Sequence, residues 1–435
     1  MHARRICHIA LCAALLAACD ATSGAAPAPP SPLELVLARH PGDHALDARI
    51  RKQQARITRG PVRAADLEHL GWLFIARARE LHDPGAYQLS LQAAQAVEAL
   101  APDDRGALLL RGHALHSLHR FREAEAIARR LVRERGAPFD HGLLGDVLID
   151  RGELDAAIES YQTMMDQRPD MHAYVRAAHV RYLKGDLPGA LSAMEIAARA
   201  ASPRNAESFA WTWAKLALYQ LQLGDAAAAA SSVQRALEIQ PSSYHALRAS
   251  AQLALARSTP AEALAPLRAA AARTPHPEIL WMLQDTLESL AREPEARSVT
   301  AQLRANGEGE DPRALALYLA AHGRELELAE RLARAELAER PDIYSHEALG
   351  LVRSMRGDHG AALEHAVRSL ASGARDPRVL YHAGLIAQRA GDATRARLWL
   401  GGASDYSACL LPSQRRELST RLASLTGPAL AAGSR

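Results

Sequence analysis

Three histidines, His113, His116 and His119, recur at intervals of three residues. On a helix that spacing lines imidazoles along one side, the geometry a metal site would use. No Cys, Asp or Glu completes a ligand set nearby, and His119 falls where a turn is expected. The three are therefore read as solvated or groove-lining side chains. His40 and His44 flank Pro41-Gly42, which spoils any helical i, i+4 pair. Of the four cysteines, Cys7, Cys12 and Cys19 crowd the N-terminus, so Cys409 stands alone and reads as a small apolar residue. Arg129-Arg130 and Arg415-Arg416 read as solvated faces. There is no Gly-rich phosphate loop, nucleophile elbow or HExxH pattern. The expectation is a protein that is not an enzyme, with no cofactor, no metal and no catalytic residue.

The elements that would position any site are helical. Hydrophobic residues make up 48% of the 435 and charged residues 23%, the balance of a folded chain. Aromatics are only 4%, and alanine fills much of the apolar share, which favours closely packed helices over a β-sandwich. Net charge is +3, so the strong basic excess of a nucleic-acid binder is absent. Lys52, Lys184 and Lys215 are the only lysines; all the other basic residues among the 52 are arginines.

Residues 1–18 begin with Arg4 and Arg5 and continue as an apolar run from Ile6 to Ala18. The run is too short for a membrane span of about 20 residues and suits a signal-peptide core. Leu16-Ala17-Ala18-Cys19 resembles the bacterial lipobox, which implies cleavage before Cys19 and lipid on its sulfur. The mature chain then has no disulfide framework. Asp20 resembles an inner-membrane retention signal, and the expected location is the periplasmic side of the inner membrane or of the outer membrane. Residues 19–32, rich in proline and alanine, read as a lipid-attached tether.

A repeat occupies residues 71–410. An alanine recurs at 124, 157, 190, 229, 263, 296, 329, 362 and 396, in steps of 33, 33, 39, 34, 33, 33, 33 and 34, and Ser90 precedes the series by 34. Five residues before this marker stand Gly85, Gly152, Gly185, Gly224, Gly357 and Gly391, five of them followed by an acid. Such a pair ends one helix and starts the next. Twelve residues before the marker the side chain is small in eight of ten units; Gln284 and Leu317 depart. Twelve after it come Pro102, Pro169, Pro241, Pro275 and Pro341 as helix stops.

Together these features resemble the tetratricopeptide repeat, most clearly at 142–169 and 381–403. The resemblance implies an all-α, α-solenoid fold: about ten helix–turn–helix units in a right-handed superhelix with a concave groove. Residues 33–70 are expected to form N-terminal capping helices, and 411–435 a C-terminal capping helix and tail. The polar stretch Asn306–Pro312 reads as a break and a candidate hinge. On the first helix of each unit, residues 18, 15, 11 and 8 before the marker form a stripe that faces the groove in this family. It holds Trp72, Phe139, Tyr182, Trp211, Trp281, Tyr318, Tyr344 and Tyr381, which form the expected partner-binding groove. The resemblance implies a membrane-anchored periplasmic scaffold or adaptor that binds a protein or peptide partner, in envelope assembly or export. A chaperone-like holder of exported clients and a glycan or small-ligand receptor are the alternatives.

Overall fold

The computed structural model describes residues 29–426, so the signal peptide, Cys19 and Asp20 lie outside the described residues. Every regular element among the described residues is helical. Two helices, α1 (Pro32–Leu37) and α2 (Ala45–Arg59), precede ten helix pairs. The pairs are α3 (Ala64–Leu81) with α4 (Pro84–Leu100), α5 (Arg105–Ser117) with α6 (Phe121–Glu134), and α7 (Pro138–Asp150) with α8 (Leu154–Gln167). Next come α9 (Met171–Leu183) with α10 (Leu187–Ala200), α11 (Ala206–Gln222) with α12 (Ala226–Ile239), and α13 (Tyr244–Ala256) with α14 (Pro260–Arg273). The last four are α15 (Pro277–Ser289) with α16 (Glu293–Glu310), α17 (Pro312–Ala321) with α18 (Leu326–Glu339), α19 (Ile343–Met355) with α20 (His359–Ser369), and α21 (Pro377–Arg389) with α22 (Ala393–Asp405). A short 3-10 turn, Ser407–Cys409, leads into α23 (Pro412–Thr426).

Each pair turns through a left-handed residue. Gly152, Gly185, Gly224, Gly357 and Gly391 have φ between 74° and 87°. At the same place in other units stand His119, Ser258 and Ala291, at φ 55–60°. The turn is thus a property of the unit, held by packing even where a side chain makes it costly. Asp186, Asp225, Asp358 and Asp392 accept backbone N–H bonds at the start of the following helix, whereas Glu153 makes no such cap. Helices α4, α8, α12, α14 and α18 all end two residues before the recurring proline, because the residue before proline disfavours the helical conformation.

The marker alanines are buried, and so are the small residues twelve positions earlier. A Cβ on Gly145 would run into the Tyr161 ring, and one on Gly384 would lie 2.5 Å from Leu400 Cγ. The two helices of a unit approach too closely there for any side chain.

Four sequence expectations need correction. Gly85 is not the turn residue of its unit. His82 takes the left-handed conformation at φ 51°, Asp83 caps α4, and Gly85 lies inside that helix. The boundary drawn at residue 70 falls within α3, which begins at Ala64. Residues 306–310 are the last turn of α16, not a loop, and Gly307 packs against Leu315. Leu317 is no real exception to the small-residue rule. In its unit the first helix has only ten residues and Gly323 turns one residue early, so the register slips by one and Ala316 becomes the small buried residue.

The array winds far enough for late units to sit on early ones. Gln240 and Arg273 donate to Glu80, and the His82 and Tyr244 rings lie 4.9 Å apart. Arg340 binds Asp150 at 2.6 Å, and a Cβ on Gly152 would meet Pro341 O at 2.5 Å. Tyr182 donates to Asp376 at 3.0 Å and Gln222 to Arg375 O at 2.9 Å. Arg415 of α23 reaches back to Leu255 O at 2.8 Å, and Ser413 N donates to Asp285. The concave side therefore encloses an axial chamber.

Candidate binding chamber

Mostly the first helix of each pair lines this chamber, because the second helix packs outside it. Three adjoining compartments make it up, with volumes of about 360, 660 and 680 Å³. Lys215 and Tyr219 border both the smallest and the largest, while Arg313 and Tyr344 join the smallest to the 660 Å³ compartment.

Half of the expected aromatic stripe reaches the chamber. Tyr182, Trp281 and Tyr344 line the smallest compartment, and Trp211 the largest. Trp281 is nonetheless 7% exposed, held edge-on against Tyr318 with ring centroids 5.6 Å apart. The other four lie elsewhere. Trp72 stacks edge-on against His113, and Phe139 meets His172 and the Arg168 guanidinium. Tyr318 is core, its hydroxyl on Thr300 of α16; the one-residue slip in its unit turns it inward and points Leu317 to the chamber. Tyr381 is covered by α23, whose Glu417 accepts its hydroxyl at 2.7 Å.

Sequence reasoning missed the charged lining, although the signal was present. The same stripe positions carry Asp146, His172, His179, His245, Arg248, Glu278 and Arg378, all of which line the chamber. Counting aromatics alone passed over them. Most of the charges are paired. Arg176 binds Asp146 at 2.5 Å, Arg248 binds Glu278 at 2.5 Å, and Arg313 binds Asp342 at 3.1 Å. Arg378 and His382 both bind Glu347, at 2.9 and 2.7 Å. Burial alone would raise Glu278 and Glu347, yet their arginine partners hold each down to about 2. The histidines go the other way. Burial, then the neighbouring His82, pushes His245 down to about 3, and burial with Lys215 lowers His179 to about 4. These imidazoles are neutral acceptors or donors at neutral pH.

The histidine trio is divided among separate partners. His113 packs on Trp72, His116 binds Asp150 at 2.8 Å, and His119 stacks on Phe121 in the turn. His40 binds Asp47, which also takes Arg77, and His44 caps α2. Cys409 is half-buried at the chamber wall, its thiol pushed up to about 12 by burial, so it carries little thiolate.

Comparison with known proteins adds the following. A family model described as tetratricopeptide repeat matches residues 212–243. No curated protein matches the chain. Among solved structures, yeast Tom70 aligns at 11% identity over 87% of this chain and 91% of that one, with a TM-score of 0.39. A tetratricopeptide repeat protein from Parabacteroides merdae aligns at 15% identity over 73% and 98%, with a TM-score of 0.30. The human IFIT1 dimer with PPP-AAAA aligns at 16% over 70% and 74%, with a TM-score of 0.37. At these scores the likenesses carry no argument about ligand or site. The repeat match at 212–243, which falls on one of ten like helix–turn–helix pairs, supports a tetratricopeptide-repeat protein with an all-α solenoid fold.

Proposed function

We propose that this protein is a membrane-anchored periplasmic scaffold or adaptor that holds an extended segment of a protein partner in its axial chamber, in envelope assembly or export. The repeat fold supports protein binding; the lipobox-like Leu16-Ala17-Ala18-Cys19 supports the anchor. One observation carries the mode of binding: the contacts between early and late units narrow the concave side to small compartments of about 360, 660 and 680 Å³. A folded partner does not fit such a space, whereas an extended chain does. Trp211 is half-buried at its largest compartment and offers rigid contact area there.

A photoreactive residue in place of Trp211, introduced in the native host, tests this. Capture of one dominant exported protein supports the scaffold. Capture of many unrelated exported chains favours the chaperone-like holder, and no captured protein at all sinks the partner reading. Lipid anchoring is tested separately: labelled fatty acid should enter the protein and be lost in Cys19→Ala.

A further inference from the structure

Lys215 is anomalous in this chamber. It sits on α11 beside the Tyr182 and Tyr219 rings, its Nζ 6.0 and 5.5 Å from their centroids. Those rings are stacked on each other at 5.2 Å. Among the described residues no carboxylate pairs with Lys215. The acids that face it are already engaged: Glu278 by Arg248, and Asp376 by the Tyr182 hydroxyl and the α21 backbone. Beside it the Tyr219 hydroxyl is buried without a partner. Tyr219 is itself only 4% exposed. Lys215 is half-buried, and a half-buried ammonium and a buried hydroxyl both gain from a group that accepts their hydrogen bonds.

We propose that the 360 Å³ compartment is a binding site for a monocarboxylate with a flat apolar body, its carboxylate on Lys215 Nζ and the Tyr219 hydroxyl. The size is that of a small-ligand site. Trp281, Tyr182 and Tyr344 supply flat walls for the body. The ligand carries no more than one negative charge, because, among the described residues, Lys215 is the one cation of this compartment without a bound acid and Asp311 and Asp376 face the space without an arginine partner. Arg248, Arg313 and Arg378 are each bound to an acid, and Asp311 and Asp376 also face the space, so a dianion such as a phosphate monoester is repelled. The same chemistry is carried by a free small acid or by the terminal carboxylate of a chain with an aromatic last residue. The site stands on the unpaired Lys215 ammonium and Tyr219 hydroxyl at one compartment and does not depend on the scaffold reading.

The test uses the full-length protein with phenylacetate, phenylacetamide and phenyl phosphate as probes, read by saturation-transfer NMR and calorimetry. Phenylacetate should bind and the other two should not. Lys215→Met should weaken phenylacetate at least about tenfold, the size of a lost charge-assisted hydrogen bond, and Tyr219→Phe about threefold. Both variants should keep the wild-type circular dichroism; removal of an unpaired ammonium should leave the melting temperature equal or higher. A tripeptide ending in Phe, free or amidated at its terminus, separates the sources. Tighter binding of the free tripeptide assigns a chain end, and binding of phenylacetate alone assigns a small acid. Equal binding of acid and amide overturns the site. So does wild-type affinity in both folded variants, or no binding by any carboxylate probe.

Discussion

At the residue scale, what fixes this molecule is the absence of side chains at a few points and the pairing of charges at a few others. A Cβ on Gly384 would stand 3.0 Å from the backbone nitrogen of Leu400 as well as against its side chain, so Gly384→Ala has no flexible neighbour to displace. It should cost about 2 kcal/mol by overpacking, seen as a shift in urea midpoint with an unchanged slope. Trp281 and Trp211 share the stripe but not its consequences. Trp281 is packed against Tyr318 and His322, so Trp281→Ala should destabilise by about 3 kcal/mol. Trp211 is half-buried with His245 at its edge, so Trp211→Ala should leave thermal stability within about 1 kcal/mol while weakening partner capture. Parallel melting curves for the two variants check this contrast; equal losses would show that both are core.

At the element scale, the connections between pairs do more than end helices. The segment after α18 carries Arg340, which binds Asp150 at the end of α7, where His116 of α5 binds the same carboxylate. Burial raises Asp150, but His116 and Arg340 outweigh it and hold it down at about 2. Its stabilising effect is therefore present above the ordinary carboxylate range near 4 and is lost as pH falls towards 2. The half-buried histidines act at higher pH. His113 is pushed down to about 3, by burial and then Arg79, and His245 and His179 to about 3 and 4. An unfolded imidazole binds its proton near 6.5 and the folded ones do not, so their contribution is full above about 6.5 and declines as pH falls. The melting temperature should drop steadily from pH 7 to about pH 4.5. His245→Gln should flatten part of that drop; an unchanged slope would mean that water reaches the imidazole freely.

At the scale of the whole molecule, α23 is a clasp as much as a cap. It covers Tyr381 through Glu417, and its Arg415 binds Leu255 O of α13 across the winding and Ala408 O in the turn just before α23. Arg415→Ala removes these bonds without uncovering the end of the array. It should leave helix content unchanged and let the C-terminal end of the array loosen from α13. Small-angle scattering should then show a larger radius of gyration, and hydrogen exchange should speed up in the last turns of α13 and α15. An unchanged radius would show that the other contacts, at Asp150 and Asp376, close the chamber unaided.

The period of 33 to 34 residues, the Gly-acid turns and the proline stops determined by themselves that the chain is a helical repeat array, because each signal is local to one unit. The stripe at 18, 15, 11 and 8 residues before the marker also followed from local geometry, since helical spacing decides which side chains share a face. The sequence did not show which stripe residues are exposed. Tyr381 is hidden by a helix that begins 31 residues later, and Tyr318 by a one-residue slip in a ten-residue helix whose turn residue, Gly323, comes early. Nor did it show that Arg340 would meet Asp150 or Tyr182 meet Asp376, across 190 and 194 residues. Those contacts depend on the accumulated rotation of every intervening unit, and no single repeat encodes that angle. Only the wound structure turns a groove into a chamber and leaves Lys215 as the one unmatched cation of its smallest compartment among the described residues.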